Sequence, residues 1–182
     1  KWQTKSVGGI VIDPLSGEVF ALAARPNFDP NKRPTDLSVL PNPLVERVLE
    51  MGSIIKPLTV AAGIDTGVVT PATTYQDLGS VVVAGVKISN YDGRGHGTVS
   101  LQEVLNNSLN TGAIFIMQKT GRPNFKKYML NYGLGEKTGI DLPNETSGLV
   151  SNILNSPREI EYANAAFGQG IAFTPVELIR AL

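Results

Sequence analysis

In the stretch EMGSIIKPLTVAAG, residues 50–63, a serine stands three residues before a lysine, and a proline follows the lysine directly. In a helix interior the ring of Pro57 would clash with the carbonyl of Ser53, four residues back, and remove the hydrogen bond to it. The conflict shrinks if the helix begins at about Ser53, with Gly52 supplying a sharp entry. Ser53 then lies at a helix N-terminus, where free N–H groups and the helix dipole favour negative charge. A serine alkoxide and a tetrahedral oxyanion both need such support. Lys56, at i+3, falls on the same helix face, with Cβ atoms roughly 5–6 Å apart. Ser53 therefore reads as a nucleophile and Lys56 as its proton acceptor. The lysine works as a base only if burial or a nearby cation draws its pKa far below the usual ~10.4. One tension is built in, because a residue that precedes proline is biased away from helical angles. Alone the tetrad is weak: Ser-x-x-Lys arises by chance about once in a chain of this size.

A second cluster lies at NNSLNTGA, residues 106–113, where Ser108 and Asn110 interrupt what would otherwise be one helix from Leu101 to Lys119. Serine and asparagine compete for backbone hydrogen bonds and favour breaks, so taken alone this cluster reads better as a plain helix–helix corner. Other candidates carry less. His96, in YDGRGHGT, reads as a surface loop histidine, and DGRGHG lacks the form of a phosphate-binding loop. Arg94 is a minor candidate for contact with substrate or partner. Gly168, Gln169 and Gly170 are expected to form a tight turn near the site, with a packing role. Asp13, Asp29 and Asp141 lie beside proline or in turns, where aspartate is common for structural reasons.

These residues need elements to hold them. SVGGIVIDPLSGEVFALAA reads as a β-hairpin around a Pro and Gly turn, and RPNFDPNKRP as irregular. From about Leu44 the pattern is mainly helical, with a break around Tyr75 to Gly97. There GSVVVAGVKISN looks like a short strand pair and YDGRGHG like a mobile loop. SLQE (100–103) and TPVE (174–177) both fit a capping box, the second with Pro175 at the first helical position. RPNFKKYMLNYG fits a helix with Pro123 near its start and Gly133 past its end. The division expected is a hairpin within residues 1–30 and a mainly helical subdomain over 44–182.

The totals exclude several functions. At 182 residues the chain suits one domain, or one domain and a fragment, and is long enough to bury a proper core. Lys+Arg and Asp+Glu are equal at 16 each, against nucleic acid as main partner, since phosphate binding needs a basic excess. There is no cysteine and one histidine, which removes thiolate chemistry, disulfides and multi-histidine metal sites; no cofactor is expected. No apolar run approaches a membrane span, and the first residues do not form a signal peptide.

Taken together, the two clusters resemble the penicillin-binding proteins, the serine D,D-transpeptidases of cell-wall synthesis and relatives of the serine β-lactamases. Ser53 and Lys56 match the family's Ser-x-x-Lys motif, and Ser108 and Asn110 its Ser-x-Asn motif. GGIVIDPLSGEVFALAARPNFDPN is similar to the opening hairpin of such domains. YGLGEKTGIDLPNETSG and FGQGIAFTPVELIRAL are similar to segments of the monofunctional, class B members. The resemblance implies an α/β fold of the β-lactamase/D,D-transpeptidase type, an antiparallel sheet packed against an all-helical subdomain. It implies that Ser53 attacks the D-Ala-D-Ala end of a peptidoglycan stem peptide and passes the acyl group to an amine of a neighbouring strand. Lys56 would take the serine's proton, Ser108 would relay a proton to the leaving amine, and Asn110 would hold the substrate amide and help orient Lys56. β-Lactams would acylate the same serine. The implied location is the outer, periplasmic face of a bacterial cytoplasmic membrane, with the full-length protein anchored there beside cell-wall synthesis partners.

The family's third motif, Lys-Thr-Gly on an edge strand, is not found in that setting. The string occurs at 119–121, where it reads as a helix end, and at 137–139, where it reads as a turn. The chain is therefore expected to stop before the true motif and the C-terminal strands. One oxyanion donor would then be missing, a loss of about 10²–10³ in rate. A hairpin without the rest of its sheet leaves an open edge, so self-association or a requirement for the C-terminal part is expected. A non-catalytic scaffold of the same fold is the alternative reading. A serine β-lactamase ranks below it, because no Glu-x-x-Leu-Asn follows Asn110.

Overall fold

The apolar runs on either side of Pro14-Leu15-Ser16-Gly17 pair antiparallel, as their pattern predicts, with Val7 opposite Arg25 and Ile12 opposite Val19. Asp13 closes the turn, its carboxylate accepting from the N–H groups of Leu15 and Ser16. The structure, a computed structural model, describes residues 4–182, so residues 1–3 of the expected 1–30 hairpin lie outside the described residues.

In chain order the elements are strands β1 (Val7–Ile12) and β2 (Val19–Arg25), then helices α1 (Pro43–Glu46) and α2 (Lys56–Asp65). Strands β3 (Thr74–Asp77), β4 (Ser80–Val83), β5 (Val86–Ser89) and β6 (Gly97–Ser100) follow. Helices α3 (Leu101–Asn106), α4 (Asn110–Thr120), α5 (Arg122–Asn131), α6 (Ser151–Asn155), α7 (Glu159–Ala165) and α8 (Pro175–Ala181) complete the chain. They group into two units, each built from separate stretches of sequence. Among the described residues no helix is long and apolar enough to cross a membrane.

The first unit holds the chain up to Leu49 together with Gly133–Gly148 and Phe173–Leu182. In it α8 packs on α1 and β1. TPVE forms the full capping box: Thr174 Oγ1 accepts from the N–H of Glu177, and the Glu177 carboxylate accepts from the N–H of Thr174. Glu177 is fully buried, and its other oxygen accepts from the N–H groups of Gly135 and Gly148. One side chain thus caps α8 and ties down both ends of the irregular segment 133–148.

The second unit holds Glu50–Tyr132 and Leu149–Ala172. Its centre is α4, NTGAIFIMQKT, which buries seven of its eleven residues and leaves Gln118 and Lys119 exposed near its end. Helices α2, α3, α5 and α7 cover it, and Ala113, Ile114, Ile116 and Met117 are buried. Helix α2 comes close because Gly63 has no side chain: a Cβ there would lie 2.5 Å from a methyl of Ile116. The break in the helical pattern contains two antiparallel pairs, β4 with β5 as expected and also β3 with β6. The second pair joins residues twenty or more positions apart, a separation that no local strand pattern signals. The YDGRGHG loop between them is anchored, since the N–H of His96 and the amide of Asn90 both donate to the Asp77 carboxylate. SLQE makes only half of its expected box: Ser100 Oγ accepts from the Glu103 N–H, but the Glu103 carboxylate takes the amides of Asn106 and Asn107 instead.

Glu177 offers the sharpest test of the first unit. Glu177→Ala would strand up to four donors in a buried place, and a loss of about 3 kcal/mol or more is expected in urea unfolding. A loss below about 1 kcal/mol would mean that these donors find solvent.

Candidate active site

The proline that complicated the sequence reading is accommodated by a change of helix type. Gly52, at φ +63°, turns the chain sharply into a 3-10 turn over Gly52–Ile55, and α2 begins at Lys56 with Pro57 in its first turn. The Lys56 N–H bonds the Ser53 carbonyl at i+3 spacing, so the N–H that Pro57 lacks is not missed. Lys56 itself is helical (φ −56°, ψ −38°) despite the proline after it. The 3-10 bond and the burial of its side chain outweigh the pre-proline bias.

This entry leaves Ser53 exposed and Lys56 at 1% exposure. The Lys56 ammonium donates to Ser53 Oγ at 3.1 Å, to Ser108 Oγ at 2.9 Å and to the Ser108 carbonyl at 2.5 Å. Three N–H donors thus meet three acceptors, none of them charged. Burial draws the Lys56 pKa down from its usual value to about 8. The mechanism is desolvation of the charged form, one of the two causes that the sequence left open.

Ser108 reaches the lysine twice because of its backbone. Helix α3 ends at Asn106, and Ser108 adopts φ +52°, a left-handed conformation uncommon for a residue with a Cβ. Leu109 is extended and buried, and α4 starts at Asn110. The Asn110 amide donates to the carbonyl of Ser89, the last residue of β5, at 3.0 Å. Ser53, Lys56 and Ser108 therefore form one hydrogen-bonded set. Asn110 stands two residues further on; its amide is tied to Ser89, while the Lys56 donors go to the two serines.

The GQG turn has a more specific position than the sequence suggested. Gly168, at φ +81°, presses its backbone against Gly52: the Gly52 N–H donates to its carbonyl at 3.1 Å, and a Cβ on Gly168 would lie 2.1 Å from the Gly52 oxygen. Gly170 N–H donates to Glu50. The turn after α7 therefore fixes the entry to Ser53 from a position more than a hundred residues away, and no local pattern signals that pairing.

The remaining candidates fall elsewhere. The His96 ring bonds Asp92 within its own loop, and the Arg94 backbone serves that same loop. Lys119-Thr120-Gly121 ends α4, with Gly121 at φ +77°. Thr138 and Gly139 donate to Glu145 in a loop. Among the described residues no group of three or more His, Asp or Glu side chains is placed to hold a metal ion.

Residues 7–182 match the family described as the penicillin binding protein transpeptidase domain. The chain belongs to that family. It is 32% identical to stage V sporulation protein D of Bacillus subtilis over 100% of this chain and 28% of that protein. It is also 32% identical to the peptidoglycan D,D-transpeptidase MrdA of Acinetobacter baumannii, over 94% of this chain and 29% of that protein. Among solved structures, penicillin binding protein 3 of Mycobacterium tuberculosis complexed with aztreonam superposes with a TM-score of 0.86 at 30% identity, covering 96% of this chain and 39% of that one. The fold is thus the α/β, β-lactamase-like fold of these transpeptidase domains. The chain spans less than a third of the length of the two curated relatives.

The contact between Gly168 and Gly52 is directly testable. Gly168→Ala combines a left-handed φ with a clash against backbone, and a loss of about 3 kcal/mol or more is expected in thermal unfolding. Gln169→Ala, at the exposed neighbour, should change stability by no more than about 0.5 kcal/mol. Equal melting temperatures for the two variants would show that the backbones are not held together there.

Proposed function

We propose that this chain carries the acylation machinery of a peptidoglycan D,D-transpeptidase, with Ser53 as nucleophile and Lys56 as its base. The observation that carries the reading is the contact of the Lys56 nitrogen with both Ser53 Oγ and Ser108 Oγ, in a setting that lowers its pKa to about 8. At pH 7.5 about a quarter of such lysines are neutral, against about 0.1% for an ordinary one. When Lys56 is neutral the bond to Ser53 reverses, and the serine hydroxyl donates to the amine.

Ser53 Oγ then attacks the carbonyl of the penultimate D-Ala while its proton passes to Lys56 Nζ. The oxyanion forms beside the 3-10 turn over Gly52–Ile55 that carries Ser53, whose opening N–H groups have no acceptor within the turn. As the C–N bond breaks, the Ser108 hydroxyl passes a proton from Lys56 to the departing D-Ala amine. An amine of a neighbouring stem peptide attacks the ester, its proton returns through the same groups, and Ser53 is released. Asn110 holds the substrate amide. A β-lactam follows the first half of this route, but its ring opens and the leaving amine stays attached, so the ester persists. Because peptidoglycan is assembled outside the cytoplasmic membrane, the site of action is the outer face of a bacterial cell membrane, beside other cell-wall synthesis proteins.

Fluorescent penicillin tests the reading. A lasting adduct on Ser53, lost in Ser53→Ala, is expected. Its rate of formation should climb with pH as Lys56 loses its proton, with a midpoint at about 8. Rapid turnover of the adduct would indicate a β-lactamase, and no adduct at all would leave a scaffold.

The 182-residue chain on its own is also expected to self-associate. Val7 and Phe20 of the two-stranded hairpin are 59% and 62% exposed, and a two-stranded sheet is marginal in water. Light scattering that finds a monodisperse monomer would overturn this.

A further inference from the structure

Asp77, at the end of β3, is a carboxylate at 1% exposure, and the acyl-transfer steps do not use it. Its partners are all neutral donors. They are the N–H of Gly79 at 2.9 Å, the N–H of His96 at 3.1 Å, the Asn90 amide at 2.9 and 3.1 Å, and the Thr111 hydroxyl at 2.8 Å. Burial pushes its pKa up, but the bonds from Gly79, Thr111, His96 and Asn90 outweigh that and hold it below the usual carboxylate value. The carboxylate form is therefore favoured here, and it organises donors around it.

Two of those donors lead to the Ser108–Asn110 turn. The Thr111 hydroxyl has one proton; giving it to Asp77, it accepts from the Tyr75 hydroxyl at 3.1 Å. The Asn90 amide is fixed in one orientation: its nitrogen faces the carboxylate, and its oxygen accepts from the Thr111 N–H at 3.2 Å. Flipping the amide would put oxygen against carboxylate and nitrogen against N–H. Asn90 thereby caps α4 from a distance, which matters because the local N-cap is Leu109 and has no side-chain acceptor. One position earlier in each segment, Asn110 donates to Ser89. The end of β5 and the residue after it thus grip the first two residues of α4, directly after the left-handed Ser108.

We propose that Asp77, Asn90 and Thr111 are positioning residues that clamp the start of α4 so that Ser108 keeps both oxygens on Lys56 and the Asn110 amide stays fixed. The proposal rests on the acyl-transfer reading for its kinetic consequence, but not for its structural one.

The test uses the full-length protein with two readouts: the rate and affinity components of penicillin acylation, and hydrogen–deuterium exchange of residues 105–112. Thr111→Val keeps the shape and loses the hydroxyl, whereas Thr111→Ser retains it. Thr111→Val should slow the acylation step about tenfold or more, with little change in initial binding, and Thr111→Ser should stay within about twofold. Exchange over 105–112 should rise about tenfold in Thr111→Val and remain unchanged in α5. Should Thr111→Val fail to fold, Asn90→Ala, which removes the remote cap, decides with the same readouts. Wild-type acylation and exchange in the folded variant would overturn the proposal. If the wild-type protein takes no acyl group, the transpeptidase reading falls, and exchange alone decides whether the clamp exists.

Discussion

An ammonium shut away from water must give each of its N–H groups an acceptor, and Lys56 finds three within reach, all uncharged. A carboxylate partner would have stabilised the charge and pinned the proton on the nitrogen. Hydroxyls and a carbonyl satisfy the donors without doing so, and burial then favours the neutral amine. The same desolvation suits Lys56 to the role of base proposed for it. The surrounding unit can be understood as the means of keeping that arrangement dry on the lysine side and open on the serine side.

The means are backbone conformations that would not arise unaided. Ser108 holds a left-handed φ of +52°, of order 1–3 kcal/mol above an ordinary conformation. It persists because Leu109 beside it is buried in the cluster of Val60, Val104 and Ile116, so relaxing the turn would pull an apolar side chain from the core. On the other side Gly52 reaches φ +63° and is held by the backbone of Gly168. The first of these points is Ser108, which itself touches Lys56, and the second adjoins Ser53, which also does; both are held in place by tertiary packing.

That division also explains what could be read in advance. Pro57 located the helix start and put Ser53 beside Lys56, because a proline's steric demands act over four residues and need no tertiary information. The interruption at Ser108 and Asn110, the hairpin and the TPVE cap are local in the same sense. The pairing of β3 with β6, the remote cap from Asn90 and the apposition of Gly168 with Gly52 each join distant segments through backbone groups that carry no residue-specific signal. SLQE misled by half because Asn106 and Asn107 compete for the Glu103 carboxylate, and a capping pattern does not look beyond its own four positions.

The two Lys-Thr-Gly strings carry this argument one step further. In the first, Lys119 is exposed with its nitrogen over the Phe115 ring, Thr120 is buried with its hydroxyl on the Ile116 carbonyl, and Gly121 ends the helix. In the second, Thr138 and Gly139 are bound to Glu145, and the Lys137 carbonyl accepts from Arg180. In each the threonine hydroxyl already has a local partner, the Ile116 carbonyl in the first and the Glu145 carboxylate in the second. Ser-x-x-Lys differs because its two polar groups face each other across one helical turn, one buried and one exposed. A short motif acquires chemistry only when its element converges its side chains and leaves one of them unspent.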